Sequence, residues 1–231
     1  MYDLRSAGEP LDAVTALYPL LHRIGRALLP NCLWRGDPRV PAVALTFDDG
    51  PHPKYTPTLL DVLARHGVTA TFFLLGENVA RFPSIVRQIV AAGHGIGLHG
   101  YTHRLFPALA PDALRRDLAR TGAAIEGACG RGAGDGTLRD VRPPGGVATP
   151  GTVARLRAWG YRPVMWGAVS EDWNCPGVSV VVRRTLAQTG AGTIIALHDG
   201  ARGGQDVADV ADALIPALRG LGYAFARVGD W

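Results

Sequence analysis

The chain has a single lysine, Lys54, and only three cysteines, Cys32, Cys129 and Cys175. An odd cysteine count without a CxxC spacing speaks against both a disulfide framework and a thiolate zinc site; one disulfide beside a free thiol is the most it allows. No apolar stretch reaches the roughly 20 residues of a membrane-crossing helix. Asp3, Arg5, Glu9 and Asp12 precede any apolar stretch, which is not the pattern of a secretory signal. Internal repeats and low-complexity tracts are missing too, so the scattered 30 glycines and 17 prolines mark turns rather than disorder. With lysine nearly absent, the net charge of +4 rests on arginine. The arginines are dispersed, with no basic block and no aromatic interleaving, which argues against nucleic acid as a partner. A mildly basic surface suits an anionic glycan or a membrane surface equally well.

What is present is enough apolar residue for one good core: 47% of 231 residues are hydrophobic. Leu11, Val14, Leu17, Tyr18, Leu21, Ile24 and Leu28 recur at helical spacing, with His22, Arg23 and Arg26 among them. This predicts an amphipathic helical extension over residues 1–38 packed on a main domain of residues 39–231. The alternative is peripheral membrane contact by an interfacial helix through residues 11–29. Beyond it, apolar runs at 43–47, 69–74, 95–98, 139–142, 161–166, 192–197 and 222–227 read as strands. Helical patterns at 55–66, 82–92, 111–127, 150–159, 178–189 and 206–219 alternate with them. Pro111-Asp112 and Thr149-Pro150 resemble helix starts, and Gly67, Gly93, Gly160 and Gly220 fall where helices should stop. This order predicts an α/β fold with a mainly parallel sheet, closed or nearly closed into a barrel; a doubly wound open sheet is the alternative. The glycine-rich stretch 130–136 reads as a surface loop.

Polar residues collect where these strands end. Asp48-Asp49 closes the run Val43–Phe47, and Gly50-Pro51 follows at once. Neighbouring residues on an extended chain face opposite sides, so the two carboxylates can take different jobs, one as metal ligand and one as base. His99 and His103 follow Gly95–Leu98, and a spacing of four on a helical turn would let both bind one ion. Together with the Asp pair they suggest a site of two His and one Asp, the donor set of zinc and other transition metals. Arg142-Pro143-Pro144-Gly145-Gly146 is a stiff loop whose arginine could fix a carboxylate. Glu171-Asp172-Trp173 places an acid and an indole where they suit a sugar face or an oriented histidine. His198-Asp199 leaves the run Thr193–Leu197, a position suited to a proton donor near neutral pH. Each cluster has an ordinary structural explanation; five at successive strand ends do not.

From Ala42 to Ala226 the sequence resembles the polysaccharide deacetylase family, also called the NodB-homology or carbohydrate esterase family 4 group. Thr46-Phe47-Asp48-Asp49-Gly50-Pro51 is similar to its first motif without change. His99–His103, Arg142–Gly146, Asp172-Trp173 and Leu197-His198 resemble the remaining four. The resemblance implies a distorted (β/α)7 barrel carrying the N-terminal amphipathic helix as an addition. It implies Asp49, His99 and His103 as ligands of one divalent metal ion, zinc first, with cobalt, nickel or another divalent ion as substitutes. Asp48 would be the general base, Arg142 its orienting partner, His198 the general acid and Asp172 the partner of His198. Gly145, Trp173, Leu197 and Tyr101 would contact substrate, with the Gly145 N–H facing the oxyanion. The implied reaction removes N-acetyl groups from an N-acetylated glycan, by a monomer of the cell envelope or extracytoplasmic space. Other expectations are a lipid-linked amino sugar, an O-acetyl ester such as acetyl-xylan, and a non-catalytic glycan binder. Two His and one carboxylate also occur in nonheme iron oxygenases, but the unchanged first motif and His198 argue against that class. Three departures stand out: Gly100 for a hydroxyl residue that braces the histidine loop, Gly145 for an aromatic, and Ala196 for Leu. The last two imply a roomier acyl pocket.

Overall fold

The computed structural model describes residues 13–129 and 138–231, with side chains from Leu17 onward; the glycine-rich stretch 130–136 and the start of the N-terminal helical pattern lie outside the described residues. The elements are α1 (Ala13–Leu28), β1 (Ala42–Asp48), α2 (Tyr55–His66), β2 (Thr71–Leu74), α3 (Gly76–Arg81), α4 (Pro83–Ala91) and β3 (Gly95–Leu98). They continue with α5 (Pro111–Cys129), β4 (Asp140–Val141), α6 (Pro150–Ala158), β5 (Arg162–Pro163), β6 (Ala168–Val169), α7 (Val178–Gln188), β7 (Ile194–His198), α8 (Val207–Gly220) and β8 (Ala224–Phe225).

All the ladder pairs are parallel, in the order β5-β4-β3-β2-β1-β7-β6, with β8 added beside the start of β1. The sheet curls into a distorted barrel with helices outside, as the alternation of strand and helix patterns predicts. Its open side is bridged by the segment after α1: Leu33 pairs with Val164 and Arg35 with Thr193. β1 is buried along its whole length between β2 and β7, and its register sets Asp48 opposite Phe73 and His198. Phe47, Leu45 and Val43 face the helix layer, where Leu59, Leu63, Val86, Ile89, Leu214 and Ile215 complete the core.

Three expectations from the sequence are corrected by the fold. The run 161–166 is not one strand: only Arg162–Pro163 pairs with β4, and a separate strand, β6, pairs with β7. α3 has no counterpart among the expected helices, because six residues are too few to show a helical period. Gly220 lies inside the end of α8, and the left-handed turn after that helix is made by Gly222, at φ +87°. All three cysteines are free thiols, in keeping with the lack of a disulfide framework in the sequence.

Candidate active site

The catalytic residues expected from the sequence meet at the carboxyl ends of the strands, around a cavity of about 390 Å³. Asp48 and Asp49 line it from the end of β1, His99 and His103 from the loop after β3, and His198 from the end of β7.

Asp48 is buried, and Arg142, fully buried itself, donates to its Oδ1 at 2.7 Å. The same guanidinium donates to Thr46 Oγ1 at 2.7 Å and to the Met165 carbonyl at 3.2 Å, and it lies 4.1 Å over the Phe73 ring. Arg142 is thus held by β1, by the segment after β5 and by an aromatic face on β2. Burial pushes the Asp48 carboxyl up, but Arg142, with His99 and His198 beyond it, more than offsets this and holds the group below the usual carboxylate range.

Asp49 adopts the left-handed backbone region, φ +72°, uncommon for a non-glycine residue. Its Oδ1 lies 3.4 Å from both His99 Nε2 and His103 Nε2. One donor atom from each of the three residues falls within 4.8 Å of the others. The Asp49 Oδ1 atom is buried without a hydrogen-bond partner. On His99 the other ring nitrogen, Nδ1, is 2.8 Å from the Arg142 carbonyl oxygen, to which it can only donate. That contact sets the tautomer and leaves the Nε2 lone pair free. Burial also pushes the His99 imidazole below its ordinary range, against the pull of Asp48 and Asp49, which favours the neutral ring a metal ligand must be. An orphaned carboxylate oxygen facing two imidazole nitrogens, one in a set tautomer, fits a divalent metal ion. The two histidines do not share a helical turn as their spacing predicted. His99 directly follows β3, and the bend after it, with His103 at φ +56°, folds the second ring back to 5.2 Å from the first.

α3 holds both ligand-bearing loops. Its first N–H groups, on Gly76 and Glu77, donate to the carbonyls of Gly100 and Tyr101, each at 3.0 Å. Asn78 Nδ2 donates to the Asp49 carbonyl at 2.9 Å. Asp117 Oδ1 on α5 accepts the Tyr101 N–H at 2.8 Å. These contacts brace the histidine loop without the hydroxyl that Gly100 lacks. A Cβ at residue 100 would come within 3.2 Å of both Asp117 Oδ1 and the Phe106 ring, at φ +82°.

Opposite the ligand set, Asp172 holds His198 twice: Oδ2 accepts the His198 backbone N–H at 2.7 Å, and Oδ1 is 2.9 Å from ring Nδ1. Nε2 is left to carry the exchangeable proton. Burial alone would push this imidazole down; Asp172, backed by Asp48 and Asp49, outweighs it and raises the ring to about 9. Trp173 lies edge-on to His198, ring centroids 5.2 Å apart, and lines the cavity with Gly145.

Two expected substrate contacts fall elsewhere. Leu197 is buried in the helix-facing core, and Ala196 lines the cavity instead. Tyr101 does not line the cavity: Arg120 covers its ring at 3.6 Å, and the ring packs on Gly76. His52 stacks on Tyr55 at 4.1 Å rather than entering the site.

Four wall residues were not singled out from the sequence: Tyr18, Trp166, Val169 and Arg202. The Trp166 ring lies on Gly146, where a Cβ would meet its Cζ2 at 2.8 Å. Tyr18 reaches across from α1, edge-on to Trp166 at 6.3 Å, and donates to Glu171 Oε1 at 3.1 Å. Together they supply an aromatic wall beside Gly145. Asp199, adjacent to His198, is also buried; burial, with Asp49 and Asp48 adding to it against the Thr56 hydrogen bond, raises its carboxyl to about 7.

A parallel barrel with two buried carboxylate-cation pairs flanking an Asp-His-His donor set defines a metal-assisted hydrolase site. A family model described as polysaccharide deacetylase matches residues 35–164. A chitooligosaccharide deacetylase of Sinorhizobium fredii is 38% identical over 69% of this chain and 73% of its own length. A peptidoglycan-N-acetylglucosamine deacetylase of Bacillus cereus is 32% identical over 81% of this chain and 86% of its own. A crystal structure of a peptidoglycan N-acetylglucosamine deacetylase, bound to an N-hydroxybenzamide compound, superposes with a TM-score of 0.81 at 31% identity, covering 87% of this chain and 92% of that one. The chain belongs to the polysaccharide deacetylase family.

Proposed function

We propose that this protein is a metal-dependent hydrolase that removes N-acetyl groups from amino sugars of a glycan. The observation that carries the proposal is the Asp49-His99-His103 set, with its orphaned Oδ1, between the Asp48–Arg142 and His198–Asp172 pairs in one cavity. Residues 39–231 form the catalytic domain in this reading and residues 1–38 its extension, whose Tyr18 lines the cavity.

Asp49, His99 and His103 would hold the ion, and zinc suits their nitrogen and carboxylate donors. When bound, it supplies Lewis acidity toward the acetamide oxygen and lowers the pKa of water. Asp48, kept ionised by Arg142, accepts the proton of the attacking water. His198 carries its proton on Nε2 and delivers it to the amide nitrogen, so the C–N bond breaks to give a free amine and acetate. Gly145 lies at the cavity edge, where its N–H would serve the developing oxyanion. Trp173 and Trp166 offer faces to the sugar ring.

The test is acetate release from N-acetylglucosamine oligomers by metal-stripped protein, with and without zinc or cobalt, beside Asp48→Asn. Release that needs the metal and falls by about 10²–10⁴ in the variant is expected of a general base. Release unaffected by the substitution would remove Asp48 from that role, and no release with metal bound would refute the activity.

A further inference from the structure

The described large apolar side chains left exposed are concentrated around the cavity mouth. Leu17, Leu20, Leu21, Ile24 and Leu28, each 45–65% exposed, fall within an arc of about 100° on α1. Leu105 and Val147 are exposed against Gly145, which lines the cavity. Only Val40 and Leu221 complete the set. A residue scattered singly needs no account, but a contiguous patch does.

The neighbouring face of α1 is committed to the domain. Tyr18 lines the cavity, His22 packs edge-on to Trp34 at 5.3 Å, and Gly25 sits on the Trp34 ring. The helix therefore cannot turn its apolar stripe inward. Between stripe and barrel runs an apolar groove lined by Leu21, Leu28, Trp34, Ala148, Met165 and Trp166. Trp166 and Gly146 line both this groove and the catalytic cavity, so the two are continuous.

Among the described residues, the exposed charges on α1 and α6 are all positive. Arg23 and Arg26 are exposed on α1, and Arg155 and Arg157 on α6; Arg157 reaches the Asn31 carbonyl at 3.1 Å, just past the end of α1. Arg202 is exposed at the cavity edge. None of the five is paired with a carboxylate among the described residues. Among the described residues no helix is long and apolar enough to cross a membrane, and an apolar helical stripe with cations beside it matches an interfacial membrane helix. A second copy of this chain would bring the same arginines together, whereas anionic headgroups neutralise them.

We propose that α1 and the cavity rim dock on a lipid bilayer bearing anionic headgroups, so that the glycan entering the cavity is carried by a lipid whose apolar part lies along the α1 groove. This rests on the deacetylase reading and specifies its substrate class.

The test is co-sedimentation of the full chain with phosphatidylglycerol/phosphatidylcholine vesicles and with phosphatidylcholine alone. Leu20→Ser/Ile24→Ser, on the stripe but outside the cavity and groove, is the variant, with melting temperature and acetate release from soluble oligomers as controls. The wild type should bind the anionic vesicles, and the variant should lose binding by about tenfold or more while keeping both controls. Arg23→Gln/Arg26→Gln tests the charge independently and should weaken binding in low salt. The rate on a vesicle-borne N-acetylglucosaminyl amphiphile, relative to the soluble oligomer, should fall with Leu20→Ser/Ile24→Ser. A wild type that stays in the supernatant, a variant that binds unchanged, or a wild-type dimer that the variant dissolves without any vesicle binding would overturn the proposal. An unchanged rate ratio would overturn its lipid-borne substrate. Vesicle binding without acetate release from either substrate would refute the deacetylase reading instead.

Discussion

At the scale of the residue, the site works by pushing neighbouring titratable groups in opposite directions. Asp48 and His198 face each other across one strand pairing, yet Arg142 holds the first ionised and Asp172 holds the second protonated. Because Asp172 raises the His198 pKa, replacing it lowers that pKa and removes the acid form at lower pH. Asp172→Asn should therefore move the basic limb of the kcat/KM profile downward and reduce kcat; a limb that stays in place would show that His198 is not the titrating acid. The motif chemistry of these residues was legible in the sequence. Which way Leu197 faces was not. β7 is buried almost throughout, so no polar alternation marks the side that looks into the barrel. The register puts Ala196 in the cavity wall and Leu197 in the outer core.

At the scale of the element, α3 and the turn before β3 matter most. α3 carries no catalytic side chain, but it joins the Asp49 loop to the histidine loop through Asn78, Gly76 and Glu77. Asn78→Ala should weaken metal binding by about 10–100-fold in a chelator competition while leaving the fold intact, as loss of a support behind a ligand does. His94, at the turn into β3, is buried, and its Nδ1 accepts the Ala70 N–H at 3.1 Å. Burial, with Arg227 assisting, pushes it down to about 4. The unfolded chain then takes up that proton first, so stability is complete above about pH 6.5 and drains as pH falls toward 4, by on the order of 3 kcal/mol. Denaturant unfolding of His94→Asn should show a shallower loss over that window; an identical slope would exonerate His94.

At the scale of the molecule, the ligand set should bind metal only when β1 and β3 lie side by side across β2, so metal affinity is folding energy. Zinc at about 100 times its Kd should add about 2.7 kcal/mol, a rise of about 5–10 °C in Tm for a chain of this size. Asp49→Ala should abolish the rise; a Tm indifferent to zinc in the wild type would argue against the site.

The sequence by itself determined the alternation of strands and helices apart from α3 and the separate β6, the parallel sheet and the five clusters at strand ends, because these follow from local periodicity and from residue chemistry. Only the tertiary structure decided that the histidines converge through a bend, that α3 stands in for the brace Gly100 lacks, and that Tyr18 and Trp166 wall the cavity beside Gly145. These contacts join residues far apart in the chain. Sequence patterns record which face of an element is apolar, whereas packing decides which distant surface that face meets.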